Sequence, residues 1–192
     1  MEAFLVSTLV VAVGEIGDKT QLLALLLASR LRAPAAIMAG ILCATLANHS
    51  LAGLVGVGLS RWLGPTLLRW LVGLSFLALA GWALVPDTAE DTTAARPRGK
   101  LGAFGVTVVC FFLAEIGDKT QLATVALAAE YDRLVAVVAG TTLGMMIADV
   151  PAVLLGNFAA HRIPFTLVRL VAAALFAGLG LVVIASALSG DL

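Results

Sequence analysis

The octapeptide EIGDKTQL occurs twice, at Glu15–Leu22 and at Glu115–Leu122, a separation of 100 residues. Each copy sits inside a long apolar run, so both place three charges in a stretch that otherwise reads as hydrocarbon. The register extends beyond the motif without gaps: Phe4 matches Phe104, Ala39-Gly40 matches Ala139-Gly140, Gly56 matches Gly156, Arg69 matches Arg169 and Phe76 matches Phe176. An identity of eight residues that includes three charges does not recur by accident in 192 residues, so the chain is a duplication.

The remainder of the sequence says where such a duplicated unit resides. Apolar residues make up 61% and charged residues 12%, with a mean hydropathy of +1.06, which leaves too little polar surface to cover a globule in water. Net charge is zero, so there is no basic footprint for nucleic acid. Cys43 and Cys110 stand alone in apolar runs, without the spacing of a disulfide framework or a zinc site, and read as small apolar residues. Six apolar segments are expected, at about Phe4–Ala28, Pro34–Leu59, Pro65–Val85, Leu101–Ala129, Leu134–Ala159 and Pro164–Leu188. The period-2 alternation of a membrane barrel is missing, and in lipid every backbone group must be satisfied internally, so the segments are expected to be helices. The first begins Met1-Glu2 without a positive n-region and carries Glu15, Asp18 and Lys19 in its middle, which reads as a first membrane helix rather than a signal peptide.

The expected fold is therefore an all-α integral membrane protein of six transmembrane helices, with repeats at 1–86 and 101–192 joined by a polar linker at 87–100. Three helices per half is an odd number, so the halves should enter the membrane from opposite sides as a 3+3 inverted-topology repeat. Arg30, Arg32, Arg96, Arg98, Lys100 and Arg162 fall on one side and Arg61 and Arg133 on the other, which predicts a cytoplasmic linker and external termini.

Glu15 and Glu115 lie about a dozen residues into their segments, near the bilayer midplane at about 1.5 Å rise per residue. On a continuous helix Asp18 and Lys19 flank Glu15 on one stripe, Gln21 lies at its edge, and Thr20 faces elsewhere. Three buried charges oppose insertion by roughly 8–10 kcal/mol on translocon scales. A Glu15–Lys19 ion pair could offset part of this, although a hydrophobic isostere would usually serve packing as well. Carrying the cost in both halves points to function. If the inverted symmetry brings the stripes together, four carboxylates and two lysines leave a formal charge of −2, which matches one divalent cation. Carboxylates, the side-chain oxygens of Thr20, Gln21, Thr120 and Gln121, and carbonyls freed near Gly17 or Gly117 are hard ligands suited to Ca²⁺, Mg²⁺ or Mn²⁺. These glycines either unwind the helix or allow close helix packing. Carboxylates sharing a site repel one another, so protons compete with the metal, as cation/proton exchange requires.

The paired EIGDKT segments resemble the Glu-x-Gly-Asp-(Lys/Arg)-(Thr/Ser) signature of the Gdt-type Ca²⁺/Mn²⁺:H⁺ antiporter family. That family includes a Golgi manganese-homeostasis protein, chloroplast manganese transporters and small bacterial manganese exporters. The resemblance covers essentially the whole chain, and both motifs match at every defined position. It implies that Glu15, Asp18, Glu115 and Asp118 bind the cation, supported by Lys19, Thr20, Lys119 and Thr120. It also implies a secondary transporter whose substrates are Mn²⁺ or Ca²⁺ and protons, with no resident cofactor and no enzymatic reaction. The short central loop, and the lack of an organelle-targeting extension before the first segment, lead one to expect a bacterial plasma-membrane member.

His49 and Asp149 occupy equivalent repeat positions inside the second and fifth segments, with Asn48 before His49. They are candidates for a proton relay or the metal site, or for hydrogen bonding between helices. Met145 and the Gly140-x-x-x-Gly144 spacing read as packing, and Pro151 as a kink beside Asp149. A divalent-cation channel with a carboxylate selectivity ring is the main alternative, with a related small-solute exporter as another. An intramembrane enzyme is disfavoured, because no nucleophile–base or metalloprotease motif is recognisable.

Overall fold

A computed structural model of the chain describes residues 1–85, 99–155 and 165–189. These form eight helices: α1 (Glu2–Glu15), α2 (Lys19–Leu31), α3 (Pro34–Trp62), α4 (Pro65–Ala83), α5 (Gly99–Glu115), α6 (Lys119–Tyr131), α7 (Leu134–Leu155) and α8 (Phe165–Ser189). Among the described residues there is no strand. Four helices, α3, α4, α7 and α8, are long and apolar enough to cross a membrane unaided. The first and fourth apolar segments are not continuous helices; each is divided at its EIGD sequence. At about 1.5 Å per residue the 14-residue α1 is about 21 Å long, short of a hydrocarbon core of about 30 Å. Most of the 87–100 linker, Gly156, His161 and Arg162 lie outside the described residues, while Gly99 and Lys100, expected in the linker, already belong to α5.

The break has a local cause. In the first copy Ile16 has φ −64° and ψ 116°, Gly17 has φ +84°, and the Asp18 N–H donates to the Glu15 carbonyl at 3.0 Å. That is a type II turn, whose third residue must take positive φ, a conformation that suits glycine. The second copy repeats it, with Gly117 at φ +75° and the Asp118 N–H 3.1 Å from the Glu115 carbonyl. An added Cβ at Gly117 would meet nothing within 4 Å, so this glycine is there for its backbone conformation and not for close packing. The aspartates then stand at the N-cap positions of α2 and α6, where the chain resumes its helix at Lys19 and Lys119.

The two halves do not pack as separate bundles. Helix α1 lies along α7 and α5 lies along α3, so each broken helix is seated on a helix of the other half, while α4 pairs with α8. Small residues permit this closeness. A Cβ on Gly140 would come within 2.5 Å of the Phe4 carbonyl oxygen, and one on Gly144 within 2.6 Å of that of Thr8. At the equivalent crossing a Cβ on Gly40 would lie 2.7 Å from Thr107 Cβ and 3.0 Å from the Phe104 carbonyl oxygen. The glycine spacing on α7 is thus a helix-packing device, as expected. Phe76 of α4 stacks on Phe176 of α8 with ring centroids 6.3 Å apart. Met145 is buried with Val11, Ile37, Ile41 and Phe111, and so fills core space.

Burial is inverted relative to a protein in water. Leu5, Leu9, Leu54, Leu67, Leu74 and Leu181 are more than half exposed, whereas Glu15, Glu115, His49 and Asp149 are completely buried. An apolar exterior around a charged interior is what a lipid solvent selects.

Candidate carboxylate site at the helix breaks

The two turns meet in the interior. One oxygen each from Glu15, Glu115 and Asp118 lie within 4.8 Å of one another, all three residues buried. Oε1 of Glu15 and Oε1 of Glu115 have no hydrogen-bond partner among the described residues. Such a cluster of hard oxygen donors, with lone pairs left over, is suited to a divalent cation. Asp18 is not part of this group of three.

The lysines settle differently from the helical-stripe expectation. Lys19 Nζ lies 3.2 Å from Asp118 Oδ1, and Lys119 Nζ lies 3.1 Å from Asp18 Oδ1. The ion pair expected between Glu15 and Lys19 is therefore replaced by two reciprocal bridges, each joining one repeat to the other. The turn at Gly17 is the reason: it stops the α1 rotation before Lys19 can return to the Glu15 face. It also brings round Thr20, which a continuous helix would turn away; Thr20 Oγ1 donates to Glu15 Oε2. Thr120 Oγ1 donates to Glu115 Oε2 at 3.2 Å and lies 3.5 Å from Asp118 Oδ2.

Gln21 and Gln121 serve the turns. Gln21 Oε1 accepts from the Gly17 N–H at 2.9 Å, and Gln121 Oε1 from the Gly117 N–H at 2.7 Å. These amide oxygens, expected among the cation ligands, are instead occupied in pairing an N–H that the type II turn leaves without a partner. The amide nitrogens reach into the other half: Gln21 Nε2 donates to the Ala148 carbonyl at 3.0 Å, and Gln121 Nε2 to Asn48 Oδ1 at 2.7 Å. Residues 48 and 148 are repeat equivalents. Asn48 is the residue whose importance the sequence understated, and its signal was an amide buried in the middle of an apolar helix.

His49 Nε2 lies 4.0 Å from Glu115 Oε2, which brings this side chain to the edge of the carboxylate group. Asp149 is completely buried on α7, and neither of its carboxylate oxygens has a hydrogen-bond partner among the described residues. Pro151 stands inside α7 close by and removes the backbone bond to the Ile147 carbonyl.

A buried carboxylate cluster between interrupted membrane helices defines the class of ion-handling membrane transporters. The family described as divalent cation/proton antiporter GDT1 matches at residues 3–91 and again at 103–191, and the chain belongs to that family. The two matched ranges are themselves offset by 100 residues, the spacing of the motifs. A Vibrio cholerae protein named "Putative manganese exporter" is 50% identical over 177 residues, covering 92% of this chain and 87% of that protein. A GDT1-like protein of Synechocystis is 30% identical, covering 92% and 93%. GDT1-like protein 4 of Oryza sativa subsp. indica is also 30% identical, covering 94% of this chain and 72% of its own length. No solved structure matches the chain. The family is one of transporters, named for the ions it moves and not for a covalent reaction.

Proposed function

We propose that this protein exports a divalent cation, Mn²⁺ in the first instance and Ca²⁺ in the second, from a bacterial cytoplasm in exchange for protons. The observation that carries the reading is the meeting of Glu15, Glu115 and Asp118 at the two helix breaks, with their oxygens within 4.8 Å. Asp18, the fourth acidic residue of the paired motifs, stands beside this group and is paired with Lys119. Membership of a divalent cation/proton antiporter family, and the name of the Vibrio cholerae relative, support the substrate class. In the empty site the carboxylates repel one another, and protons relieve the repulsion; a divalent cation relieves it equally well, so each displaces the other.

The architecture that suits this exchange is a 3+3 inverted repeat of six membrane crossings, the α1–α2 and α5–α6 pairs each counting as one interrupted crossing. The matching of α1 on α7 with α5 on α3 supports it. The arginine and lysine distribution supports external termini and a cytoplasmic linker in the inner membrane. His49 and Asp149, buried and without hydrogen-bond partners among the described residues, are the side chains through which a proton would reach the site.

Purified protein in liposomes tests the reading. With an acidic lumen and neutral exterior, Mn²⁺ should accumulate inside while the lumen becomes alkaline, and Ca²⁺ run in parallel gives the preference. Cation flux that ignores the pH gradient and moves no protons would remove antiport and leave a channel.

A further inference from the structure

We infer that Asp18 and Asp118 alternate as the third carboxylate of the cation site, so that the site changes its ligand set each time the transporter reorients. The inference rests on the proposed exchange of a divalent cation at Glu15, Glu115 and Asp118.

Its starting point is a difference between two identical sequences. In the first copy Asp18 Oδ1 turns back onto its own helix and accepts the Lys19 N–H at 2.7 Å. In the second copy Asp118 makes no side-chain cap bond. Its carboxylate instead stands with Glu15 and Glu115, and its Oδ2 lies 3.5 Å from Thr120 Oγ1. The lysines differ in parallel. The Lys119 side chain, on Asp18, is 5% exposed, whereas the Lys19 side chain, on Asp118, is 31% exposed.

Because both octapeptides read EIGDKTQL, local sequence cannot prefer one arrangement for the first copy and the other for the second. Each copy can adopt either. What separates them is their surroundings: His49 Nε2 lies 4.0 Å from Glu115 Oε2, and the repeat counterpart of this histidine is an aspartate, Asp149. The charges then divide the work. A lysine whose side chain is partly exposed belongs at the watered end of the site, since its long stem lets the ammonium reach water and the charge would not face lipid. Lys19 can therefore draw its head group into water on a flexible stem when a cation arrives at Asp118. Lys119 meanwhile stays on Asp18 and neutralises the aspartate that is not ligating, a carboxylate that would be costly to bury unpaired.

Exchanging the states of the two copies gives the opposite-facing form. There Asp18 stands with Glu15 and Glu115, Asp118 turns back to cap α6 under Lys19, and Lys119 becomes the exposed lysine. Glu15 and Glu115 bind in both forms. Oε1 of each, buried and without a hydrogen-bond partner among the described residues, is available throughout.

The test uses the full-length protein with Asp18→Asn, with Asp118→Asn, and with both changes. Asparagine keeps the N-cap while removing the charge. Binding is read in detergent from the loss of the free Mn²⁺ spin-resonance signal, and transport from Mn²⁺ uptake into liposomes under a pH gradient. Each single variant should still bind Mn²⁺, with an apparent Kd about twofold weaker if the two forms are equally populated, because only one form remains competent. Net transport should fall at least about tenfold in each, and the double variant should lose binding. Serine, a second uncharged cap, repeats the comparison if either asparagine variant elutes as aggregate. Loss of Mn²⁺ binding in a single variant that elutes as a monodisperse protein would mean that all four carboxylates ligate together and would overturn the inference. Transport by Asp18→Asn within twofold of the unaltered protein would also overturn it. If the unaltered protein binds neither Mn²⁺ nor Ca²⁺, the proposed function itself fails, which is a separate result.

Discussion

Gln121 Nε2 lies 2.7 Å from Asn48 Oδ1, a bond across 73 residues that ties the second helix break to α3 of the first half. The same glutamine holds the Gly117 N–H with its other amide atom, so one side chain couples the shape of the turn to the position of its neighbour. Gln121→Ala should lower the melting temperature in detergent. The buried Asn48 Oδ1 is left without this partner, which costs about 1–3 kcal/mol, and about 2–4 °C accompanies each kcal/mol in a chain of this size. Combined with Asn48→Ala in a double-mutant cycle, it should show a coupling of about 0.5–3 kcal/mol. Strict additivity would mean that the bond contributes nothing to holding the break.

Gly117 and Gly140 are needed for different reasons, and alanine should distinguish them. At Gly117 a methyl group has open space around it, so the cost is the left-handed backbone alone, about 1–2 kcal/mol. At Gly140 the methyl group would run into the Phe4 carbonyl oxygen at 2.5 Å and push α7 away from α1. Overpacking of this kind costs about 1–3 kcal/mol and moves backbone. Gly140→Ala should therefore impair folding or yield, while Gly117→Ala should give a well-behaved protein with altered transport. Thermal melts and size-exclusion profiles of the two variants check this, and indistinguishable profiles would contradict it.

Replacing Glu15 or Glu115 by Gln keeps shape and volume but removes a charge from the buried cluster. Insertion should be preserved, and stability without metal should hold or rise, since a repulsion is relieved. Transport should be abolished in both. Mn²⁺ at about 100 times its Kd should stabilise the unaltered protein by about 2.7 kcal/mol, and chelation should reverse the effect. Neither variant should respond to metal. Near-normal export by Glu115→Gln would make that carboxylate a structural group.

Asp149 adds a negative charge whose repeat counterpart is His49, so the two repeats are not equivalent in charge at this position. Asp149→Asn should shift the pH profile of Mn²⁺ transport more than it changes Mn²⁺ affinity, and His49→Gln should shift it less. Transport rates measured across a series of pH values, beside Mn²⁺ binding at each, decide the matter. An unchanged profile in Asp149→Asn would leave proton coupling to the motif carboxylates and make Asp149 a helix partner.

The duplication, the apolar class of the chain and the four acidic residues of the two motifs were legible because each is written in residue identity and spacing. The roles of Lys19, Thr20 and Gln21 were not, because they depend on helical phase. A single positive-φ glycine resets that phase: it takes Lys19 from Glu15 to Asp118, and brings Thr20 to Glu15. Sequence could indicate that Gly17 permitted a turn, but whether the turn forms depends on Gln21 finding both the Gly17 N–H and the Ala148 carbonyl. The second contact spans 127 residues, and no local pattern encodes it. Asn48 escaped emphasis for a similar reason, since its partner becomes visible only once α3 and α6 are side by side.

The seating of α1 on α7 and of α5 on α3 has a consequence for how the chain is made. Synthesis proceeds from the N-terminus, so α1 leaves the ribosome more than a hundred residues before α7, and Lys19 leaves it 99 residues before Asp118. During that interval Asp18 and Lys19 are in or beside the bilayer without Lys119 and Asp118, the groups that neutralise them. The nascent first half thus carries two charges whose partners have yet to be made.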